Sequence, residues 1–336
     1  MAWGSSPRDG IGNWEYTTFV REHLLVPGDA DQRAWLSVLQ RRAALSTGEV
    51  GDWMSAIAMR LLAGSVLYVA GIRHRLTEVE VYYHSEDHPD PFTHCDTLQK
   101  TCGRWYFHRV GRGYRGGSFK GVDISFGDVD GFGGILIRGI EREEIELIDG
   151  PSTTVDHILQ LTRSDSVRAL DSRIAGRRVW NSTSPLSLAW TKPKPRIIYR
   201  CPRVGLSLRR LTSENAIHFL MKSYRFLTEP RRIRKGKSLL ALGMHVDAMT
   251  PDAIASETGC AIRTVSNYIS DFRFGQDHPD MSAFFGQRLT AQQSCRLYGA
   301  WWRSTQADNS GRQDSNLRLP APKGRKRPTV NAVTSC

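Results

Sequence analysis

The sequence predicts a mixed α+β protein, a compact domain of catalytic size followed by a small helical appendage of helix-turn-helix type. Three observations predict it. Met54, Ile57, Ala58, Leu61 and Leu62 recur at the spacing of a helix face, just before a β-branched and aromatic run at 65–70. Two further runs, 77–83 and 133–141, read as strands that each carry a charge where a strand favours none, Glu80 and Arg138. Downstream, 250–269 has the cap, turn glycine and apolar spacing of a helical hairpin.

Composition narrows the classes. With 336 residues, 40% hydrophobic and 9% aromatic, the chain can bury a sizeable core and is unlike a disordered one. No apolar run approaches the roughly 20 residues that span a bilayer, and the first residues, 1–8, lack the apolar core of a signal peptide. Cys95, Cys102, Cys201, Cys260, Cys295 and Cys336 form no Cys-x-x-Cys pair. That suits a reducing compartment and argues against a disulfide framework or a structural zinc site. A net charge of +12 draws polyanions, and nucleic acid is the commonest inside cells. The charge is clustered: 192–210 holds Lys192, Lys194, Arg196, Arg200, Arg203, Arg209 and Arg210 without an acid. A second cluster contains Arg231, Arg232, Arg234 and Lys235 against Glu229 alone.

Taken in order, 1–50 is a polar lead-in with a helical patch at 32–45. A helix follows from Asp52 to about Leu62, ended by Ala63-Gly64, then the strand at 65–70, with 72–77 turning the chain into the next strand. In 77–83, Val79, Val81 and Tyr83 face the core, and Glu78, Glu80 and Tyr82 face the other way. Glu78 reads as a solvated edge position. The segment 135–140 is apolar on both faces apart from Arg138, so it is expected to be buried on both sides. A buried arginine requires a carboxylate, and Glu80 is the expected partner in one cleft. A plain internal ion pair and a catalytic pair both satisfy that requirement.

Two other patterns lie between these strands. His84, Asp87, His88, Asp90, His94, Cys95 and Asp96 resemble metal ligands, but their spacings fit no zinc pattern. Gly111-x-Gly-x-x-Gly116 satisfies the dinucleotide fingerprint without its strand-turn-helix setting, so these glycines read as a tight turn or a close approach to phosphate. In the helical hairpin, Thr250 can cap, Pro251 suits the first helical position and Gly259 sits in the turn. Ile254, Val265 and Ile269 supply a small core, leaving Arg263, Thr264, Ser266 and Asn267 to point towards DNA. A packing hairpin is the alternative. From about Gln306 periodicity ends in a basic tail.

The order and types of these residues resemble the alkyladenine (3-methyladenine) DNA glycosylase family over most of the chain. The resemblance rests on the helix-strand start at 56–68, the Glu-x-Glu-x-Tyr strand Glu78-Val-Glu-Val-Tyr82, the loop Asp90-Pro-Phe-Thr-His94 and the short strand Val122-Asp-Ile-Ser125. It continues through the arginine strand 135–141, Asp149-Gly-Pro-Ser152, Pro202-Arg-Val-Gly-Leu206 and Ser223-Tyr-Arg-Phe226. It implies a curved antiparallel sheet and an enzyme that flips a damaged purine out of duplex DNA and hydrolyses its N-glycosidic bond, with no metal or organic cofactor. Glu80 would activate water, Arg138 would orient it, Tyr82 and His94 would sandwich the base, and Asp123 would lie against its edge. The chain departs from the family at Asp123, where an asparagine is usual, and at Gly111–Phe119 in place of the tyrosine-rich wedge strand; Tyr114 or Phe119 would take the wedge role. Arg112, Arg115, Lys120, Arg200 and Arg203 would contact the DNA backbone. The expected domains are a lead-in at 1–50, a catalytic domain at 51–245, a helix-turn-helix at 246–290 and a disordered basic tail at 306–336. The expected partner is double-stranded DNA with a damaged base, bound by a monomer in the nucleus on account of Lys323–Arg327, or in the nucleoid or cytoplasm of a bacterium. A catalytically silent nucleic-acid binder on the same fold is the competing reading.

Overall fold

The computed structural model describes residues 29–41, 45–142, 145–211 and 213–316; most of the expected lead-in and the basic stretch at 323–327 lie outside them. Among the described residues the protein is α+β, with nine strands in one antiparallel sheet and helices against it. No helix among them is long and apolar enough to cross a membrane.

α1 (Asp29–Leu39) ends earlier than the expected 32–45 patch. α2 (Thr47–Gly64) starts earlier than the periodicity suggests because Ser46 and Glu49 form a capping box, with the Glu49 carboxylate accepting from the Ser46 N–H at 2.7 Å. Its inner face, Val50, Met54, Ile57, Ala58 and Leu61, is fully buried. β1 (Ser65–Val69) turns directly into β2 (Ile72–His84) through Ala70 and Gly71. Both have positive φ, the geometry of a two-residue hairpin, so the turn is shorter than the 72–77 segment expected.

β2 is the sheet's central rail. One edge pairs with β7 (Phe132–Arg142); the other pairs with β1 and then with β11 (Arg225–Leu227). Beyond β7 lie β6 (Val122–Phe126), β3 (Cys102–Phe107) and, at the far end of β7, β8 (Glu146–Asp149). β9 (Leu186–Trp190) extends β1, and β10 (Tyr199–Cys201) extends β11. The glycine-rich run makes a separate hairpin, β4 (Arg109–Val110) and β5 (Gly113–Tyr114). α3 (Pro151–Leu161) and α4 (Val167–Ile174) follow β8.

Two cores flank the sheet. Val79, Val81, Ile135 and Ile137 pack with α2 and α3 on one face. On the other side Cys201 and Leu227 join α5 (Glu214–Met221), α6 (Lys237–Val246), α7 (Pro251–Thr258), α8 (Ile262–Asp277) and α9 (Ala291–Asn316). The helices are therefore a layer rather than an appendage. The layer begins before the expected boundary at 246, and α9 continues through part of the expected tail. α8 and α9 approach closely at Gly275 and Gly299, where a Cβ would come within 1.9 Å and 1.8 Å of backbone oxygen on the opposite helix.

Candidate active site

The registers of five strands place one row of side chains across a single sheet face. Arg225 is opposite Glu80, Glu80 opposite Leu136, Leu136 opposite Asp123, and Asp123 opposite Tyr106. With neighbouring strands about 4.8 Å apart, Glu80 and Asp123 stand roughly 10 Å apart at the backbone, with an apolar residue between them.

At the Glu80 end the charges interlock. The Glu80 Oε1 accepts the Val204 N–H at 2.8 Å, and Oε2 accepts the Tyr82 hydroxyl at 2.7 Å. Arg138 approaches both Glu80 oxygens only at 3.5 Å. Its closer partner is Glu78, to which Nε donates at 2.6 Å, and Arg225 Nε donates to the same oxygen at 2.7 Å. Glu78 is 2% exposed, so it is not the solvated edge position that strand alternation suggests. The outer face of β2 is covered by chain more than a hundred residues downstream. Burial alone would raise the Glu78 carboxyl, but Arg225 and Arg138 outweigh it and hold it below the ordinary carboxylate range. Burial likewise acts to lower Arg138, and Glu80 and Glu78 reverse that.

Arg203, expected on the DNA backbone, is instead 1% exposed. It donates to both oxygens of Asp90, at 2.6 Å and 3.2 Å, and its guanidinium carbon lies 4.4 Å from the centre of the Tyr82 ring. A buried cation held this way fixes the 202–204 loop, whose Val204 N–H holds Glu80, and cannot reach phosphate. The histidines and acids of the preceding loop are similarly engaged. His84 Nδ1 meets the Asp90 carbonyl, and His88 lies between the Tyr83 carbonyl and the Tyr224 hydroxyl.

At the far end, Asp123 is 2% exposed and accepts from His108 Nε2 at 2.7 Å and Gln99 Nε2 at 3.3 Å. The His108 ring packs edge-on against His94 at 4.4 Å, and His94 Nδ1 is 3.3 Å from the Tyr106 hydroxyl. Burial among these rings, then the neighbouring His108, lowers His94 to about 4, although one side of it reaches solvent. It is neutral near pH 7. Burial and the Glu80 carboxylate push the Tyr82 hydroxyl well above its usual value, so it remains a donor. The face is shut over its key group, with Glu80 0% exposed and Leu136 5%.

The other expected residues lie apart from this row or are otherwise occupied. The Tyr114 hydroxyl donates to Asp171 at 2.5 Å, and its ring lies against Arg109, so it is tethered to α4 rather than poised as a wedge. Phe119 is 71% exposed and borders an open cleft of about 310 Å³ with Val110, Tyr114 and Arg115. Arg112 is exposed, Arg115 donates to the Arg109 carbonyl, Lys120 is paired with Asp156 at 2.5 Å, and Arg200 lies 3.5 Å from Asp247. Arg263, Ser266 and Asn267 are exposed on α8, and Thr264 is half-buried.

Sequence reasoning missed Arg225, Tyr106, His108 and Leu136. Alternation from Tyr106 to His108 puts both on the Asp123 face, which is a readable local signal. Nothing local marks Arg225.

No protein-family model matches the chain. It is 31% identical over 208 residues to the uncharacterized protein L759 of Acanthamoeba polyphaga mimivirus, a match covering 56% of this chain and 92% of the viral protein. At that identity and coverage, this chain belongs to the same family as the viral protein.

Proposed function

We propose that the protein is a monofunctional DNA glycosylase that hydrolyses the N-glycosidic bond of a damaged purine flipped out of double-stranded DNA. The observation that carries the reading is the row Glu80–Leu136–Asp123 on one sheet face. A nucleoside lying along it has its sugar C1′ at the Glu80 carboxylate, a flat apolar floor under the base and a carboxylate at the far edge. The N-glycosidic bond breaks with its electron pair leaving on the base and positive charge growing on the sugar. A carboxylate beside C1′ stabilises that charge and takes the proton of the attacking water. Glu78 absorbs the nearer contacts of Arg138 and Arg225, and the Val204 N–H holds Glu80 in place, so Glu80 keeps Oε2 for the water once the Tyr82 hydroxyl swings aside. Swinging the Tyr82 ring over the base then supplies stacking that offsets lost base stacking in the duplex. Asp123, holding His108 and Gln99, accepts hydrogen bonds and so favours a base with an N–H at its edge over the neutral partner an asparagine would take.

The test is incubation of purified protein with duplexes bearing alkylated, deaminated or etheno purines, followed by alkali to reveal abasic sites. Wild-type release and a loss of about 10²–10⁴-fold in Glu80→Gln are expected. Release that survives that substitution overturns the mechanism. The complete burial of Glu80 favours a second reading, a silent binder of modified DNA; tight lesion binding without release from any substrate selects it.

A further inference from the structure

The helical layer presents a polar surface that the sheet site leaves unused. α7 starts on Thr250, whose hydroxyl accepts the Ala253 N–H, with Pro251 in its first turn. It stops at Gly259, whose φ is +66°. The buried Thr258 hydroxyl donates to the Ile254 carbonyl at 2.7 Å and accepts the Cys260 N–H at 3.3 Å, which fixes the three-residue turn before α8. Val265, Ile269 and Phe272 hold the inner face of α8, and α9 covers it.

The outer face carries Arg263, Ser266, Asn267, Ser270 and Arg273, all exposed. Among the described residues none of these side chains makes a hydrogen bond within the protein. No exposed acid interrupts the face: Asp271 is turned inward to Arg296 and Gln292, while Asp252 and Asp277 sit at the outer ends of the helix pair. A second observation is independent of the helix. The basic segment before α6 is stitched to the same turn, with Lys237 Nζ donating to the Thr258 carbonyl at 2.8 Å and Arg231 donating to the Ser256 carbonyl at 3.3 Å. Exposed Arg231, Arg234 and Lys235 therefore flank the start of α8.

We propose that this surface binds undamaged double-stranded DNA, with α8 in the major groove and Arg231, Arg234 and Lys235 on the adjoining phosphates. A helix about 10–12 Å across fits a groove about 12 Å wide. Arg263 and Asn267, one turn apart, are the side chains suited to guanine and adenine edges. The clustered cations supply the counterion-release term that sequence-independent affinity requires. This site is distinct from the sheet row and does not depend on base excision.

The experiment is fluorescence anisotropy of the full chain with an undamaged duplex about three helical turns long, over a range of salt. Arg263→Glu with Asn267→Ala is expected to weaken binding about tenfold or more. Arg234→Ala with Lys235→Ala is expected to lower the salt slope by about two, one per cation. Circular dichroism checks folding; if the first variant does not fold, Ser270→Asp on the same face takes its place with the same expected loss. Folded variants that keep wild-type affinity and slope overturn the proposal, as does tighter binding of duplex RNA than of duplex DNA. The readout is binding to intact DNA, so failure of base release leaves it unaffected.

Discussion

Replacing Glu78 with glutamine isolates the group that neutralises the buried arginines. Its Oε1 receives Arg138 Nε at 2.6 Å and Arg225 Nε at 2.7 Å, and all three side chains are buried. Glu78→Gln keeps the shape and one acceptor oxygen but removes the charge, leaving two buried guanidiniums to share Glu80, which is 3.5 Å from Arg138. Breaking a buried pair costs about 3–5 kcal/mol; the remaining acceptor and Glu80 put the expected loss near the lower end, about 3 kcal/mol. In Glu80→Gln, Arg138 keeps Glu78 and the amide oxygen still accepts the Val204 N–H, so the cost is about 1 kcal/mol, that of a hydrogen bond changed in kind. Guanidinium denaturation at pH 7 measures both, and a loss of about 3 kcal/mol lowers Tm by roughly 6–12 °C. pH supplies a second readout. A carboxyl held below its unfolded value of 4.5 contributes stability above that pH, lost as pH falls through the folded value. The acid limb should therefore be shallower in Glu78→Gln. Equal losses in the two variants, or an unchanged acid limb, refute the assignment of Glu78 as the neutralising charge.

Two further outcomes follow from the packing. Burial lowers His88 to about 4, and it is neutral between the Tyr83 carbonyl and the Tyr224 hydroxyl. The unfolded chain takes up this proton first, so stability is full above about pH 6.5 and falls by about 3 kcal/mol as pH drops to about 4; His88→Gln should flatten that window in denaturant titrations, and an unaltered slope refutes it. At Gly103, φ is +67° and a Cβ would lie 2.3 Å from the Trp180 ring. Gly103→Ala is expected to cost about 2–4 kcal/mol from backbone strain and a displaced core side chain, and an unchanged Tm refutes it.

The strands β2 and β7 and the buried arginine between them were legible because alternation and a charge inside an apolar run are local signals. So were the cap, proline and glycine around α7. Glu78 was misread because alternation says which residues share a face, not whether that face is covered. Its cover comes from β10, β11 and α6, which no local pattern ties to β2. Arg203 was misread for the same reason. It belongs to a cation-rich stretch, and only the fold turns it onto Asp90 while its neighbours Arg200 and Arg209 stay outside. The extent of the helical layer was missed because α9 is polar along much of its length and shows its apolar side only where it meets α8 and α6.

The wide sequence spacing of the Glu78 cluster gives β2 a second role during synthesis. Arg138 lies 60 residues after Glu78 and Arg225 lies 147 after it. At about 5–20 residues per second, the ribosome delivers the first partner roughly 3–12 s later and the second roughly 7–30 s later. For that interval the nascent strand displays Val79 and Val81 with an unpaired edge, the kind of segment that recruits other chains. Glu78 and Glu80, still hydrated, interrupt it with two negative charges and act as gatekeepers. The carboxylates that finish as the most deeply enclosed acids of the sheet thus begin by keeping its longest strand soluble.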